Sequence, residues 1–160
     1  MLIKVQQEDF DVQALYQSLL VKNATGAVTM FVGLVRQFAD GNVMDDNVTD
    51  DNVADCTFEL EHYPGMTEHN LQQIVEEANA RWPLLDVVVV HRVGKLNLND
   101  QIVFVGVSAS HRAEAFTACD YIMDYLKSRA AFWKKESTGK HSQWVSAKET
   151  DELSLARWHA

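Results

Sequence analysis

The sequence predicts an α+β fold built around a mixed or antiparallel sheet. Apolar residues recur at helical spacing in three separated stretches, and apolar runs of strand length lie between them. The order is irregular: strand, helix, strand, long loop, strand, helix, strand, strand, helix, hairpin. A regular alternation would imply a doubly wound parallel sheet, and no GxGxxG or Walker loop accompanies one. At 160 residues the chain is expected to form a single domain, 1–160, with an acidic loop insertion at about 38–55.

Leu2 to Val5 alternates weakly and fits an edge strand. Val12, Leu15, Tyr16, Leu19 and Leu20 recur as one face of an amphipathic helix, with Asp11 placed to cap it, and Asn23, Thr25 and Gly26 end it. Ala27 to Val35 is rich in β-branched residues and reads as an apolar strand ending at Arg36; Gly33 inside it signals a bulge or a close approach of backbone to a ligand. Residues 42–55 hold a five-residue near-repeat dominated by Asn and Asp, read as a solvated loop between two strands. Its spacing lacks the mid-loop Gly and terminal Glu of an EF-hand, so calcium binding is not expected there.

Thr57 to Tyr63 alternates Phe58, Leu60 and His62 against Glu59 and Glu61, a strand with one wet face, and Pro64-Gly65 turns the chain. Leu71, Ile74, Val75, Ala78 and Trp82 mark a second helix stopped by Pro83. Leu85 to Val90 is a continuous apolar run suited to a buried central strand, and Ile102 to Val107 is another after a turn at Asn97 to Asp100. Ala115, Phe116, Cys119, Ile122, Met123 and Leu126 define the third main helix, with Lys127 in its last turn or just beyond. Phe132 to Ser137 and Gln143 to Ala147 form the arms of a C-terminal β-hairpin around Thr138 to His141, and Ser154 to Trp158 a short terminal helix.

The formal net charge of −9 disfavours duplex nucleic acid, whose phosphates demand a broad basic surface. Six aspartates between Asp40 and Asp55 supply most of it, and without them the charge is −3. No run of eighteen apolar residues exists to span a membrane, and the N-terminus turns polar after five residues, so a cytoplasmic protein is expected. Cys56 and Cys119 form no CxxC, which argues against a zinc site or a disulfide framework; Cys119 falls on the apolar face of a helix and reads as a buried structural thiol.

Against this acidic background, Lys127 to Glu136 holds four cations and one anion around Phe132 and Trp133. Two readings are open: a patch reserved for a small anionic ligand, or a helix end whose cations complement the macrodipole. Three strand ends carry further cations: Arg36, His91-Arg92 and His111-Arg112. A His-Arg pair after a strand can open a helix whose backbone N–H groups face an anion, with Arg adding a bidentate fork; taken singly, each reads better as a surface or core-bridging Arg. His91 and His111 lack ligand-spaced partners for a metal, Glu61-His62 lacks the second His of a metalloprotease, and no GxSxG is present. Lysines crowded by other cations have lowered pKa values and become competent for proton transfer or nucleophilic attack. On an extended first hairpin arm, Lys134 and Glu136 share one face with Phe132, and Trp133 and Lys135 take the other.

Taken in order, these motifs are family-specific: Gly26-Ala27 with Phe31, Gly33 and Val35-Arg36; Leu60-Glu61-His62-Tyr63-Pro64-Gly65-Met66; His91-Arg92-Val93-Gly94; Ser110-His111-Arg112 with Ala115-Phe116; Lys127; Phe132-Trp133-Lys134-Lys135-Glu136; and Trp144-Val145. The series, spanning about 26–146, resembles the large, catalytic subunit of molybdopterin synthase. That resemblance implies an α/β hammerhead-type fold and a sulfurtransferase. It would install the two dithiolene sulfurs of molybdopterin on cyclic pyranopterin monophosphate, in molybdenum cofactor biosynthesis. The sulfur donor would be the thiocarboxylated C-terminus of a small ubiquitin-like sulfur-carrier subunit, within a heterotetramer built on a large-subunit homodimer, with no cofactor or metal. Carried over, Leu34, Val35, Arg36, His111 and Arg112 would bind the substrate's phosphate and pterin. Lys127 and Lys134 would be catalytic and also contact substrate, and Lys135 and Glu136 would complete the pocket. Leu34 stands where some members carry Lys, and Ala131 replaces a frequent proline, leaving the geometry of Lys134 less pre-set. The alternatives in other classes are a non-catalytic module binding a ubiquitin-like tail or a phosphorylated metabolite, and a phosphate-ester hydrolase using the same cations.

Overall fold

Two four-stranded sheets share the chain. A computed structural model describes residues 1–36, 56–138, 141–145 and 154–158. The acidic repeat at 42–55, the centre of the expected hairpin turn and Ala147 lie outside the described residues, as do the side chains of Cys56 and Glu136. The elements are β1 (Leu2–Gln6), α1 (Val12–Ser18), β2 (Ala27–Leu34), β3 (Cys56–His62), α2 (Met66–Arg81), β4 (Leu84–Arg92), β5 (Gly94–Leu96), β6 (Gln101–Ala109), α3 (Arg112–Arg129), β7 (Phe132–Thr138) and β8 (His141–Val145), followed by a 3-10 turn at Ala156–Trp158. The first sheet has the order β1-β4-β6-β2, with β1 parallel to β4 and the other pairs antiparallel. The second, β5-β3-β7-β8, is antiparallel throughout. The α+β class and mixed pairing agree with the sequence. The division into two sheets and the short strand β5 were not anticipated, because Gly94–Leu96 is too brief to show a period.

Local chemistry sets these boundaries. Asp11 caps α1 by accepting from the N–H groups of Gln13 (2.8 Å) and Ala14 (3.2 Å). Gly65 opens α2 at φ +83, a conformation natural only to glycine, and Glu68 accepts from its N–H at 2.7 Å. The continuous apolar strands β4 and β6 are central and bury Val87 to Val90 and Val103 to Val107. Leu71, Ile74, Val75 and Ala78 of α2 and Ala118, Cys119, Tyr121, Ile122 and Leu126 of α3 close over one face of that sheet. Phe10 and Leu19 cover Val88, Val90 and Phe104 on another side. Burying each such side chain stabilises the fold by about 1.5–3 kcal/mol.

Two glycines are dictated by space. A Cβ on Gly26 would stand 2.2 Å from the Ser110 carbonyl oxygen, so only glycine lets β2 begin against the β6–α3 junction. At Gly33 the β2–β6 register shifts, and a Cβ would meet Val103 Cγ1 at 2.8 Å. The irregularity expected from glycine in a strand is present, with its extra residue, Ile102, on the β6 side of the pair just before Leu34-Val35-Arg36.

Candidate functional site

The topology sorts the expected site residues between two ends of the molecule. Strand β6 runs from Gln101 to Ala109, and β2 runs against it, pairing Leu34 with Gln101 and Ala27 with Ala109. Helix α3 starts three residues after β6 and packs back across β6 and β2. His111 occupies its N-cap position in an extended conformation, and Arg112 is its first residue. Both are exposed beside the Ala109 end, so the His-Arg pair does open a helix. Lys127, fifteen residues along α3, lies about 22 Å from Arg112 at 1.5 Å per residue. Lys127 therefore stands at the Gln101 end, where β2 delivers Arg36.

Strand β7 brings the second lysine to that same end. Phe132 stacks on His91, with ring centroids 3.8 Å apart and planes 17° apart, and His91 is paired with Val103 near the start of β6. Two residues on, the Lys134 ammonium lies 5.2 Å from the Phe58 ring centroid, a cation–π arrangement. Phe58 packs in a small core with Val35, Leu60 and Leu96, so the residue next to Arg36 supports the ring beneath Lys134. Val35 is 3% exposed and both its backbone groups bond to the Asn99–Asp100 turn, at 2.8 and 2.9 Å. Its side chain thus anchors the strand, while Leu34 is half exposed. Lys135 pairs with Glu59 across the strands, and alternation puts its side chain on the face opposite Lys134.

By topology Arg36, Lys127 and Lys134 lie toward the Gln101 end of the fold, and His111 and Arg112 toward the Ala109 end. The stretch Lys127–Glu136 divides in the same way. Arg129 is committed to Glu77 through two bonds of 3.0 and 2.9 Å, and this bonding holds the Glu77 carboxyl below its usual range. That cation is structural, as the helix-end reading had it. So is Arg92, whose guanidinium donates to the carbonyls of Gln7 (3.1 Å) and Gln101 (3.0 Å) and to Asp9 (3.3 Å), as the bridging-Arg reading had it.

Between the two ends, a cleft of about 540 Å³ opens between β2 and α3. Thr29, Met30, Phe31, Phe116, Asp124, Lys127 and Trp158 line it. Among the described residues, Lys127 is the one expected site residue that does so. Strand β2 is an edge of its sheet, and Met30, Phe31 and Leu34 on it, with Phe116 on α3, are 40–63% exposed. An apolar edge strand beside an apolar helix face is a surface built to be covered. The cleft floor is held by the C-terminal turn. Arg157 bonds Asp120 (2.8 Å) and Asp124 (2.6 Å), and the Trp158 indole N–H donates to Asp124 at 2.8 Å.

Two buried titratable groups belong to the scaffold. Burial pushes the Cys119 thiol up to about 12, so it stays protonated and inert, as its place on an apolar face predicted. His91 is 5% exposed, and burial, helped by nearby His62, brings it down to about 4, against the bond of its Nδ1 to the Arg92 carbonyl at 2.8 Å. The ring is neutral at pH 7, with Nδ1–H donating. An unfolded chain protonates it near pH 6.5, whereas the folded chain resists down to pH 4. Stability is therefore complete above pH 6.5 and declines as pH falls through that window. In denaturant titrations, the loss of stability from pH 7.5 to 4.5 is expected to be smaller, by on the order of 2–3 kcal/mol, for His91→Phe, which keeps the stack, than for the parent. Equal losses would contradict a neutral buried ring. Among the described residues, no group of three His, Cys, Asp or Glu side chains stands close enough to hold a metal ion.

Comparison with known proteins follows this geometry closely. The family model described as MoaE protein matches residues 5–129. The molybdopterin synthase catalytic subunit of Ralstonia nicotianae is 50% identical over 157 residues, 98% of this chain and 83% of that protein. The molybdopterin biosynthesis MoaE protein from Burkholderia ambifaria superposes with a TM-score of 0.77 at 46% identity, covering 99% of this chain and 98% of that one. The crystal structure of molybdopterin synthase from Staphylococcus aureus gives a TM-score of 0.76 at 29% identity, covering 90% and 96%.

Proposed function

The chain belongs to the MoaE family, and from that premise we propose that Arg36, Lys127 and Lys134 of one protomer form a sulfur-transfer site with His111 and Arg112 of a second. The protein is a molybdopterin synthase catalytic subunit, a sulfurtransferase of molybdenum cofactor biosynthesis. It moves sulfur from the thiocarboxylated tail of a small carrier subunit to cyclic pyranopterin monophosphate. The observation that carries the two-protomer reading is the separation of about 22 Å between Arg112 and Lys127, at opposite ends of one helix. No side chain bridges that distance. The exposed apolar face of β2 and α3 lies between the two ends. Two copies joined through it about a two-fold axis, running antiparallel, bring each Arg112 toward the other's Lys127, because an isologous interface pairs unlike ends of the same patch.

Each group then has a defined task. The guanidinium groups of Arg36 and Arg112 hold the substrate phosphate, a geometry that planar forks match. Lys127 and Lys134 supply positive charge where the thiocarboxylate approaches a ring carbon, and they transfer protons as the phosphate oxygen departs. The Phe58 ring, 5.2 Å from the Lys134 ammonium, helps to position it. The site works beside the cleft where Lys127 lies. No helix among the described residues is long and apolar enough to cross a membrane, in keeping with work in the cytoplasm.

The test is reconstitution. With thiocarboxylated small subunit and cyclic pyranopterin monophosphate, the protein is expected to form dithiolene product, consuming two thiocarboxylates for each. Tail binding without turnover would instead select the non-catalytic module, and phosphate release without a sulfur donor the hydrolase.

A further inference from the structure

The two elements that carry the lysines are joined by only two residues, Ala130 and Ala131, between the end of α3 and the start of β7. Ala131 sits at φ +25, in the left-handed region that side chains other than glycine disfavour. Proline, whose φ is fixed near −65°, cannot adopt it. Such a turn persists only where its surroundings hold it. Here they do so from the first turns of α2, some sixty residues earlier in the chain.

The Asn70 side-chain amide donates to the Arg129 carbonyl at 3.0 Å, engaging one of the carbonyls that the end of α3 leaves without a helical partner. The Thr67 hydroxyl donates to the Ala131 carbonyl at 3.2 Å and accepts from the Tyr63 N–H at 3.2 Å. Thr67 is completely buried, so water cannot replace it. One residue later, Phe132 lies flat on His91. The carbonyls flanking Ala130 are thus both gripped by α2, two residues after Lys127 and three before Lys134.

We propose that Thr67 and Asn70 are positioning residues for sulfur transfer: by fixing the Arg129–Ala131 connection they set the distance and orientation between Lys127 and Lys134. This rests on the reading that those lysines act in one site. A backbone rotation of about 20° at Ala131 displaces a group about 10 Å away by about 3 Å, and a misplacement of 1 Å in an active site can cost about 100-fold in rate. Neither Thr67 nor Asn70 needs to touch substrate to control the reaction.

The test compares Thr67→Val, which keeps shape and loses both bonds, with Thr67→Ser, which keeps them. Single-turnover and steady-state rates are measured with thiocarboxylated small subunit, together with the affinity for that subunit and the melting temperature. The valine variant is expected to lose at least tenfold in kcat, with KM and small-subunit affinity within twofold. The serine variant is expected to stay within twofold of the parent. Unchanged kcat in folded Thr67→Val, or a serine variant as slow as the valine one, would overturn the proposal. If Thr67→Val fails to fold, Asn70→Ala decides: on the helix surface it should fold, and the proposal requires at least a threefold fall in kcat at unchanged KM. Lys127→Ala and Lys134→Ala run alongside. Activity retained in those two would remove the underlying reading, whereas their loss with full activity in Thr67→Val and Asn70→Ala would remove this proposal alone.

Discussion

Replacing Lys127 with alanine is expected to lower molybdopterin formation on the order of a thousandfold, within the range that a positioned proton-transfer group contributes. The same variant should fold and bind the small subunit as the parent does. Lys127 lies exposed in the last turn of α3, a helix whose packing rests on Ala118, Cys119, Tyr121, Ile122 and Leu126. Alanine is the best helix former, and a lost cation at a helix C-terminus costs only about 0.3–1 kcal/mol. The effect on rate therefore separates cleanly from stability. Circular dichroism and small-subunit affinity should match the parent while product formation collapses. Full turnover by the variant with thiocarboxylated partner would remove Lys127 from the chemistry, and with it the reason for two lysines to meet at the Gln101 end of β6.

Much of this architecture was legible in the residues. The helical periods of α1, α2 and α3, the cap at Asp11, the turn at Pro64-Gly65, and the continuous apolar runs of β4 and β6 are local signals, and local signals survive folding. Gly33 announced the irregularity in its pairing because a strand glycine has few other uses. The alternation Phe58, Leu60, His62 gave the inward face of β3, and that face supplied the ring under Lys134. Lys127 and Lys134 themselves were proposed from charge pattern and family resemblance.

What stayed hidden depends on long-range pairing. A sequence order of strands does not say that β2 and β3 fall in different sheets. Nor does it say that α3 reverses over β6, separating Arg112 from Lys127 by a full helix length. The partners that make Arg92 and Arg129 structural cations, Gln7, Asp9 and Glu77, are all distant in sequence. Thr67 and Asn70 gave no signal at all, because a polar residue in the first turns of a helix is ordinary. Only their bonds to the Arg129 and Ala131 carbonyls distinguish them. Ala131 was expected to leave Lys134 less pre-set than proline would; the bonds hold the backbone carbonyls of Arg129 and Ala131.

The central claim is that one site draws on two protomers, and a mixture of two inactive subunits tests it most directly. Arg112→Ala and Lys127→Ala subunits are co-expressed with distinct tags, and the mixed dimer is purified by both. If Arg112 serves its partner's Lys127, one of the two sites in the mixed dimer is intact and the other lacks both groups. The account predicts about half the parent activity from mixed dimers, and essentially none from either variant alone. Mixed dimers as inactive as the two parents would place Arg112 and Lys127 in the service of the same protomer and contradict the account.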